Sequence, residues 1–253
     1  MAQNIYDRQD FFDAYMKFID RSSKETELES DPAWSRLSPL LPDVTGLDVL
    51  DLGCGSGWFC RWAVRSGARS VLGIDISENM LNKARTLTGH DYPAIEYRRA
   101  DLETLQLPES DTNKFGLVFS SLTLHYLDNL ARTMSLIHRV LSPGSLFVFN
   151  VEHPIYTAPR NPHVLVDSES QDKYWSFANY HEEGERVVDW LAKGVRKWHR
   201  TLTGYMDLIF GTGFSLVGFV EWLPKKEELA RGTVTEEDQL RPLFLMMSVR
   251  KAI

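Results

Sequence analysis

The sequence predicts an α/β fold, a seven-stranded and mostly parallel sheet with helices on both faces. Three observations predict it. Short apolar runs alternate with segments of helical period from residue 46 to about 152. The first three runs end at or beside an acid, Asp51, Asp75 and Asp101, and the first leads into a glycine-rich turn. The rhythm then returns after residue 200 with one more helix and two more strands, the last of them antiparallel.

Each element follows from its pattern. Phe11, Tyr15, Phe18 and Ile19 form one apolar helical stripe. A polar stretch from Arg21 to Asp31 follows, then Pro32 and a short periodic segment through Trp34, Leu37 and Leu41. Residues 1–45 therefore read as an N-terminal helical lid on a domain spanning 46–253. Leu47 to Leu52 is a buried strand, residues 57–66 a helix, and Ser70 to Asp75 a second strand. Ser77 is placed to cap a helix that runs through Met80, Leu81, Ala84 and Leu87 to Gly89. Ile95 to Ala100 and Gly116 to Ser121 are strands three and four. Leu127, Leu130, Met134, Ile137 and Leu141 form an amphipathic helix stopped at Pro143-Gly144, before a fifth strand from Leu146 to Val151. Residues 155–198 hold seven aromatics without a clear period, and read as an insertion that forms a binding pocket. A helix near 201–211 and strands at Phe214–Trp222 and Phe244–Arg250 complete the chain.

Composition narrows the function. With 43% hydrophobic and 25% charged residues the 253-residue chain is globular, not disordered or fibrous. The 28 basic against 35 acidic residues give a net charge of −7 without a basic run, so no nucleic-acid partner is expected. Cys54 and Cys60 make neither a disulfide framework nor a zinc site, and no metal is expected. The start MAQNIYDRQD is no targeting signal, and no apolar run approaches the ~18 residues of a membrane span, so a cytoplasmic protein without membrane contact is expected.

Val49-Leu-Asp-Leu-Gly-Cys-Gly-Ser-Gly57 carries the chemistry. Glycine is needed where backbone must take positive φ and let a ligand approach without a Cβ. A dinucleotide loop wants G-x-G-x-x-G, but Trp58 occupies the place of its last glycine. Asp51 at the loop's mouth would repel a pyrophosphate and attract a cation. Asp75, 20 residues after Gly55, can accept both hydroxyls of a ribose. Asp101 can accept from an exocyclic amine, with Leu102 beside the ring. Together they read as a site for an adenosine joined to a cationic, amino-acid-like tail.

The order Asp51-Leu-Gly-Cys-Gly-Ser-Gly57, Gly73-Ile-Asp-Ile-Ser77 with Met80-Leu81, Ala100-Asp-Leu102 and Phe119-Ser-Ser-Leu-Thr-Leu-His125 resembles the class I S-adenosylmethionine-dependent methyltransferases, with their Rossmann-like sheet. Within them it is most similar to the type-11, ubiquinone-biosynthesis-like small-molecule branch. The resemblance implies S-adenosylmethionine as cofactor and a small-molecule methyl acceptor, O or N. It implies that Asp51, Gly53 and Gly55 line the methionine tail and Asp75 holds the ribose. Ile76 and Met80 would flank adenine, Asp101 and Leu102 would meet its edge, and Ser120 would lie beneath the sulfonium. Tyr6, Tyr15 and Trp34 are expected to close over the cofactor.

On the acceptor side, Glu152-His153-Pro154 follows the fifth strand and so emerges at the ligand-bearing edge. His125, His153 and Glu152 are the candidate general bases; histidine suits that work near neutral pH. His199 and Arg200 begin the helix after the insertion, and with Trp175 and Trp198 are the candidate acceptor-binding residues, favouring a flat or apolar body. An aminopropyl transferase on the same fold and a non-catalytic cofactor-binding partner stay open as alternatives.

Overall fold

Five apolar runs become the strands β1 (Asp48–Leu52), β2 (Ser70–Asp75), β3 (Ile95–Arg99), β4 (Phe115–Ser121) and β5 (Leu141–Glu152) in a computed structural model that describes residues 3–20, 33–230 and 234–253. Two short hairpins follow, β6 (Val164–Val166) with β7 (Lys173–Trp175) and β8 (Gly184–Trp190) with β9 (Ala192–His199). The last strands are β10 (Phe214–Trp222) and β11 (Phe244–Lys251). The seven-stranded sheet has the order β10-β11-β5-β4-β1-β2-β3. Strands β1 to β5 pair in parallel, whereas β11 runs antiparallel to both its neighbours. Strand order reverses between β1 and β4, and open α/β sheets bind ligands at the carboxyl ends of strands at such a switch point.

Helices α1 (Gln9–Asp20), α2 (Trp34–Leu37), α3 (Trp58–Arg65), α4 (Glu78–Thr88), α5 (Leu130–Val140), α6 (Pro154–Thr157), α7 (Leu202–Gly211) and α8 (Lys226–Ala230) surround the sheets. The pleat of each central strand feeds two cores. Leu50, Leu52, Phe115 and Val118 join the cluster under α5 and α7, while Val49, Leu117 and Phe119 join the cluster under α2 and α3. Phe59 of α3 stacks on Phe119 with ring centroids 3.6 Å apart. Ser77 caps α4 as expected, its hydroxyl taking the Met80 amide at 3.1 Å.

The structure departs from the sequence reading in three places. Helix α5 ends at Val140, and β5 begins at Leu141 before Pro143-Gly144. A register shift between the pairs Phe115/Leu141 and Leu117/Leu146 absorbs three extra residues of β5, in the stretch that holds Pro143-Gly144. Second, residues 155–198 are largely two hairpins. β6 and β7 are short and mostly exposed, and the buried face of β8 and β9 includes Arg186, Lys197 and His199, so no apolar alternation marks these strands. Third, Trp34 packs in the core against Trp58 and Trp62, apart from Tyr6 and Tyr15. The polar stretch at 21–32 lies outside the described residues.

The N-terminal segment ties two regions together. Asp7 accepts from the Ser77 hydroxyl at 2.7 Å and from the Asn79 amide at 3.0 Å, at the start of α4. Burial pushes its carboxyl up, but the hydrogen bonds from Ser77, Asn79, Asn4 and Glu78 outweigh that and hold it below its ordinary range. At the other end Gln3 donates to the Gly194 carbonyl and accepts from the Arg196 amide on β9.

Candidate active site

The glycine loop is held from below. Gly53 and Cys54 donate their amides to the Ile74 carbonyl, and Gly53, Gly55 and Gly57 all have positive φ. A Cβ at Gly53 would stand 2.1 Å from the Thr123 hydroxyl, and one at Gly55 would stand 3.2 Å from the Met80 methyl. Asp75 accepts from the Gly55 amide at 2.9 Å and the Ser77 amide at 2.8 Å, one on each carboxylate oxygen. Each oxygen keeps a lone pair for a further donor. Burial pushes the Asp75 carboxyl up, the Ser77, Gly55 and Ile76 amides oppose this, and the Asp7 charge adds to it. The buried Asn4 Oδ1, whose Nδ2 lies 3.4 Å from the Ile76 carbonyl, has no partner. A backbone cradle, a buried two-oxygen acceptor and an orphaned acceptor beside Ile76 fit a nucleoside bearing hydroxyl and amine donors. Tyr6 packs edge-on against Tyr15 and Tyr126, with centroids 5.0 and 6.4 Å away, and the Asp75 charge reaches both Tyr6 and Tyr15.

Three expected cofactor residues stand elsewhere than the sequence placed them. Asp51 is 2% exposed and accepts from the Cys60 thiol at 3.2 Å, beneath the loop and not at its mouth. Ser120 is fully buried and donates to the Leu52 carbonyl, so it ties β4 to β1. Leu102 is buried in the core cluster beneath α5. Asp101 accepts from the Glu103 amide at 2.9 Å, the local turn that an acid after a strand commonly makes.

Burial pushes the Asp51 carboxyl up to about 7; the Cys60 hydrogen bond opposes it and the Asp75 charge adds to it. A carboxyl raised in the folded state contributes stability that is full below its unfolded value of ~3.9 and is lost as pH rises through about 7. Asp51→Asn should therefore gain stability relative to wild type between pH 5 and pH 8, on the order of 3 kcal/mol. Urea denaturation at both pH values checks this, and parallel pH profiles of the two proteins would exclude it.

At the carboxyl end of β5 lies a cavity of about 300 Å³ lined by Glu152, Tyr156, Trp175, Trp190, Lys197 and Arg241 among others. Glu152 Oε1 pairs with Lys197 Nζ at 2.5 Å, while Glu152 Oε2 is buried without a partner. Lys197 lies 5.0 Å from the Trp190 ring centroid and 6.0 Å from that of Tyr126. Of the three candidate bases only Glu152 lines this cavity. His125 is buried and outside the lining, and its imidazole is pushed down to about 4 by burial and by the Lys197 and Arg200 charges, against Glu152. His153 is fully buried: its Nδ1 accepts from the Ile155 amide and caps α6, so Nε2 carries the proton toward Glu221 at 2.9 Å. Neither histidine belongs to the cavity lining.

Of the four expected acceptor residues, Trp175 lines the cavity. His199 is spent on the Thr157 hydroxyl and the Tyr180 carbonyl, and Arg200 on the Leu127 and Asp128 carbonyls. Trp198 lies under Arg196 on the opposite face of β9 from Lys197. The sequence reading missed Lys197 and Arg241. Alternation along β9 could have found the first, since Val195, Lys197 and His199 share its buried face.

Comparison with known proteins agrees with this geometry. A family model described as a methyltransferase domain, of type 11, matches residues 50–149. A crystal structure of an S-adenosylmethionine-dependent methyltransferase from Mesorhizobium loti is 43% identical, with TM-score 0.82, over 88% of this chain and 100% of that one. A malonyl-[acyl-carrier protein] O-methyltransferase from Pectobacterium atrosepticum is 31% identical over 59% of this chain and 55% of its own. A ubiquinone biosynthesis O-methyltransferase from a Bradyrhizobium species is 27% identical over 63% and 54%. The chain thus spans about half the length of these two named relatives. Among the described residues no helix is long and apolar enough to cross a membrane. Matched over 88% of its length by the Mesorhizobium enzyme, with its glycine loop at the switch point of the sheet and Asp75 on the neighbouring strand, the chain belongs to the class I S-adenosylmethionine-dependent methyltransferases.

Proposed function

We propose that the chain moves the methyl of S-adenosylmethionine onto an oxygen or nitrogen of a small-molecule acceptor by in-line displacement, with Glu152 facing the nucleophile. The position of Glu152 carries this reading. It ends β5 at the edge that bears Gly53 and Asp75, lines the cavity, and keeps one carboxylate oxygen unpaired. The cofactor supplies an electrophilic methyl on a cationic sulfur. Asp75 would hold the ribose hydroxyls, Gly53 and Gly55 would let the tail lie on bare backbone, and Ile76 and Met80 would flank the adenine. Asp101 would meet its edge. Glu152 Oε2 takes the acceptor's hydrogen as the new bond forms, while Lys197 holds Oε1 and fixes the carboxylate. The relatives named as O-methyltransferases favour oxygen over nitrogen.

The lid and insertion serve the same reaction. Residues 3–20 join α4 to β9, and residues 155–198 supply most of the cavity wall, so together they keep water from both partners. Screening hydroxylated and amine metabolites for label from methyl-tritiated S-adenosylmethionine finds the acceptor. With it, Glu152→Gln should lower kcat by about 100-fold and leave S-adenosylhomocysteine affinity unchanged. An unchanged kcat would remove Glu152 from the proton path.

A further inference from the structure

The cavity lining carries as many acids as bases, but they are not all paired with one another. Three acids line it, and each is engaged: Glu152 with Lys197, Glu237 with Lys173 at 3.5 Å, and Asp189 with the Gly194 amide at 3.1 Å. Two guanidiniums, Arg186 and Arg241, line it with no carboxylate oxygen within 4.0 Å among the described residues. Arg186 is committed to the backbone, donating to the carbonyls of Ala158, Glu185, Asn179 and Glu182. It pins the start of the insertion at Ala158 to the segment that leads into β8 and adds positive field.

Arg241 is different. Its guanidinium carbon lies 4.0 Å from the Trp175 ring centroid and 4.8 Å from that of Tyr156, and those two rings stack at 5.6 Å and 15°. Of the five N–H groups a guanidinium carries, one goes to the Glu237 carbonyl and one to Tyr156, and the buried Nε has no partner. A planar fork with spare donors, held on aromatic faces at the cavity wall, matches an oxyanion in two-pronged contact.

We propose that Arg241, seated on Trp175 and Tyr156, is the specificity-determining residue of the acceptor pocket, and that the acceptor carries an oxyanion, a carboxylate or phosphate, on a flat body. This rests on the reading of the cavity as the acceptor site of a methyltransferase. The anion is the recognition handle, and Glu152 stays free to face the nucleophile.

The test uses the full chain saturated with S-adenosylhomocysteine and titrated with benzoate, phenyl phosphate, benzamide and benzylamine. The proposal expects benzoate or phenyl phosphate to bind at least about tenfold tighter than benzamide, with benzylamine weakest. Whichever anion wins identifies the source of the charge. Arg241→Gln should abolish the anion preference while keeping S-adenosylhomocysteine affinity, and Arg241→Lys should retain only part of it. Equal binding of benzoate, phenyl phosphate and benzamide would overturn the proposal, as would a preference that survives Arg241→Gln. Failure of wild type to bind S-adenosylhomocysteine at all would instead strike the underlying reading of the site.

Discussion

Gly53→Ala is expected to yield a protein that binds neither S-adenosylmethionine nor S-adenosylhomocysteine and is several kcal/mol less stable than wild type. Two costs combine. The residue sits at φ +77, in the left-handed region, where a side chain costs about 1–2 kcal/mol. The new methyl would also stand 2.1 to 2.6 Å from three side-chain atoms of the half-buried Thr123, and forcing a packed neighbour aside costs about 1–3 kcal/mol more. Thr123 cannot simply turn away, because its hydroxyl donates to the Ser121 carbonyl at 3.0 Å and its neighbour Leu122 is already at φ +50. Relief must come from the loop, which is the part that would touch the ligand. Gly46→Ala is the control: its φ is +72, but nothing lies within 4 Å of the added Cβ. It should lose only about 1 kcal/mol and bind normally. Urea denaturation and cofactor titration of both variants check the pair, and equal losses would place the cost in the backbone alone.

Lys197→Met is expected to cost about 3 kcal/mol of stability, although it replaces a charge with an apolar side chain of similar length. The Lys197 side chain is 3% exposed and that of Glu152 13%, so the carboxylate left behind has little access to water. Its second oxygen already has no partner. Breaking a buried pair typically costs about 3–5 kcal/mol, and water in the cavity places this case at the low end. The double variant Lys197→Met/Glu152→Gln removes the stranded charge and should recover most of the loss. A double-mutant cycle at neutral pH measures the coupling. Additive losses would mean that the pair carries no special burden.

The two halves of the site differ in how far the sequence disclosed them, and the reason is physical. The loop from Asp51 to Gly57 and the acid at Asp75 are local consequences of chain geometry. A turn that needs positive φ demands glycine wherever it occurs, and an acid at a strand's carboxyl end falls at the ligand-bearing edge of a parallel sheet. The buried strands β1, β2 and β4 were equally legible, as continuous apolar runs between turns. The acceptor side depends on pairings that no local pattern records. Glu152 meets Lys197 across 45 residues, and Arg241 reaches back to Tyr156 and Trp175 from beyond β10. Histidines drew attention for their chemistry, but His153 and His199 spend their ring nitrogens on structural hydrogen bonds, and His125 is buried outside the cavity lining. The choice of both His199 and Trp198 also ignored strand alternation, which sends neighbours to opposite faces.

The most direct test of the account is calorimetric titration of wild type and Asp75→Ala with S-adenosylmethionine and S-adenosylhomocysteine. The account predicts saturable binding of both ligands to wild type, weakened in Asp75→Ala by about 1–3 kcal/mol, or roughly 5- to 150-fold, because two charge-assisted hydrogen bonds are lost. Equal affinity of the two proteins would contradict the placement of the ribose at Asp75, and absence of binding to wild type would contradict the cofactor site itself.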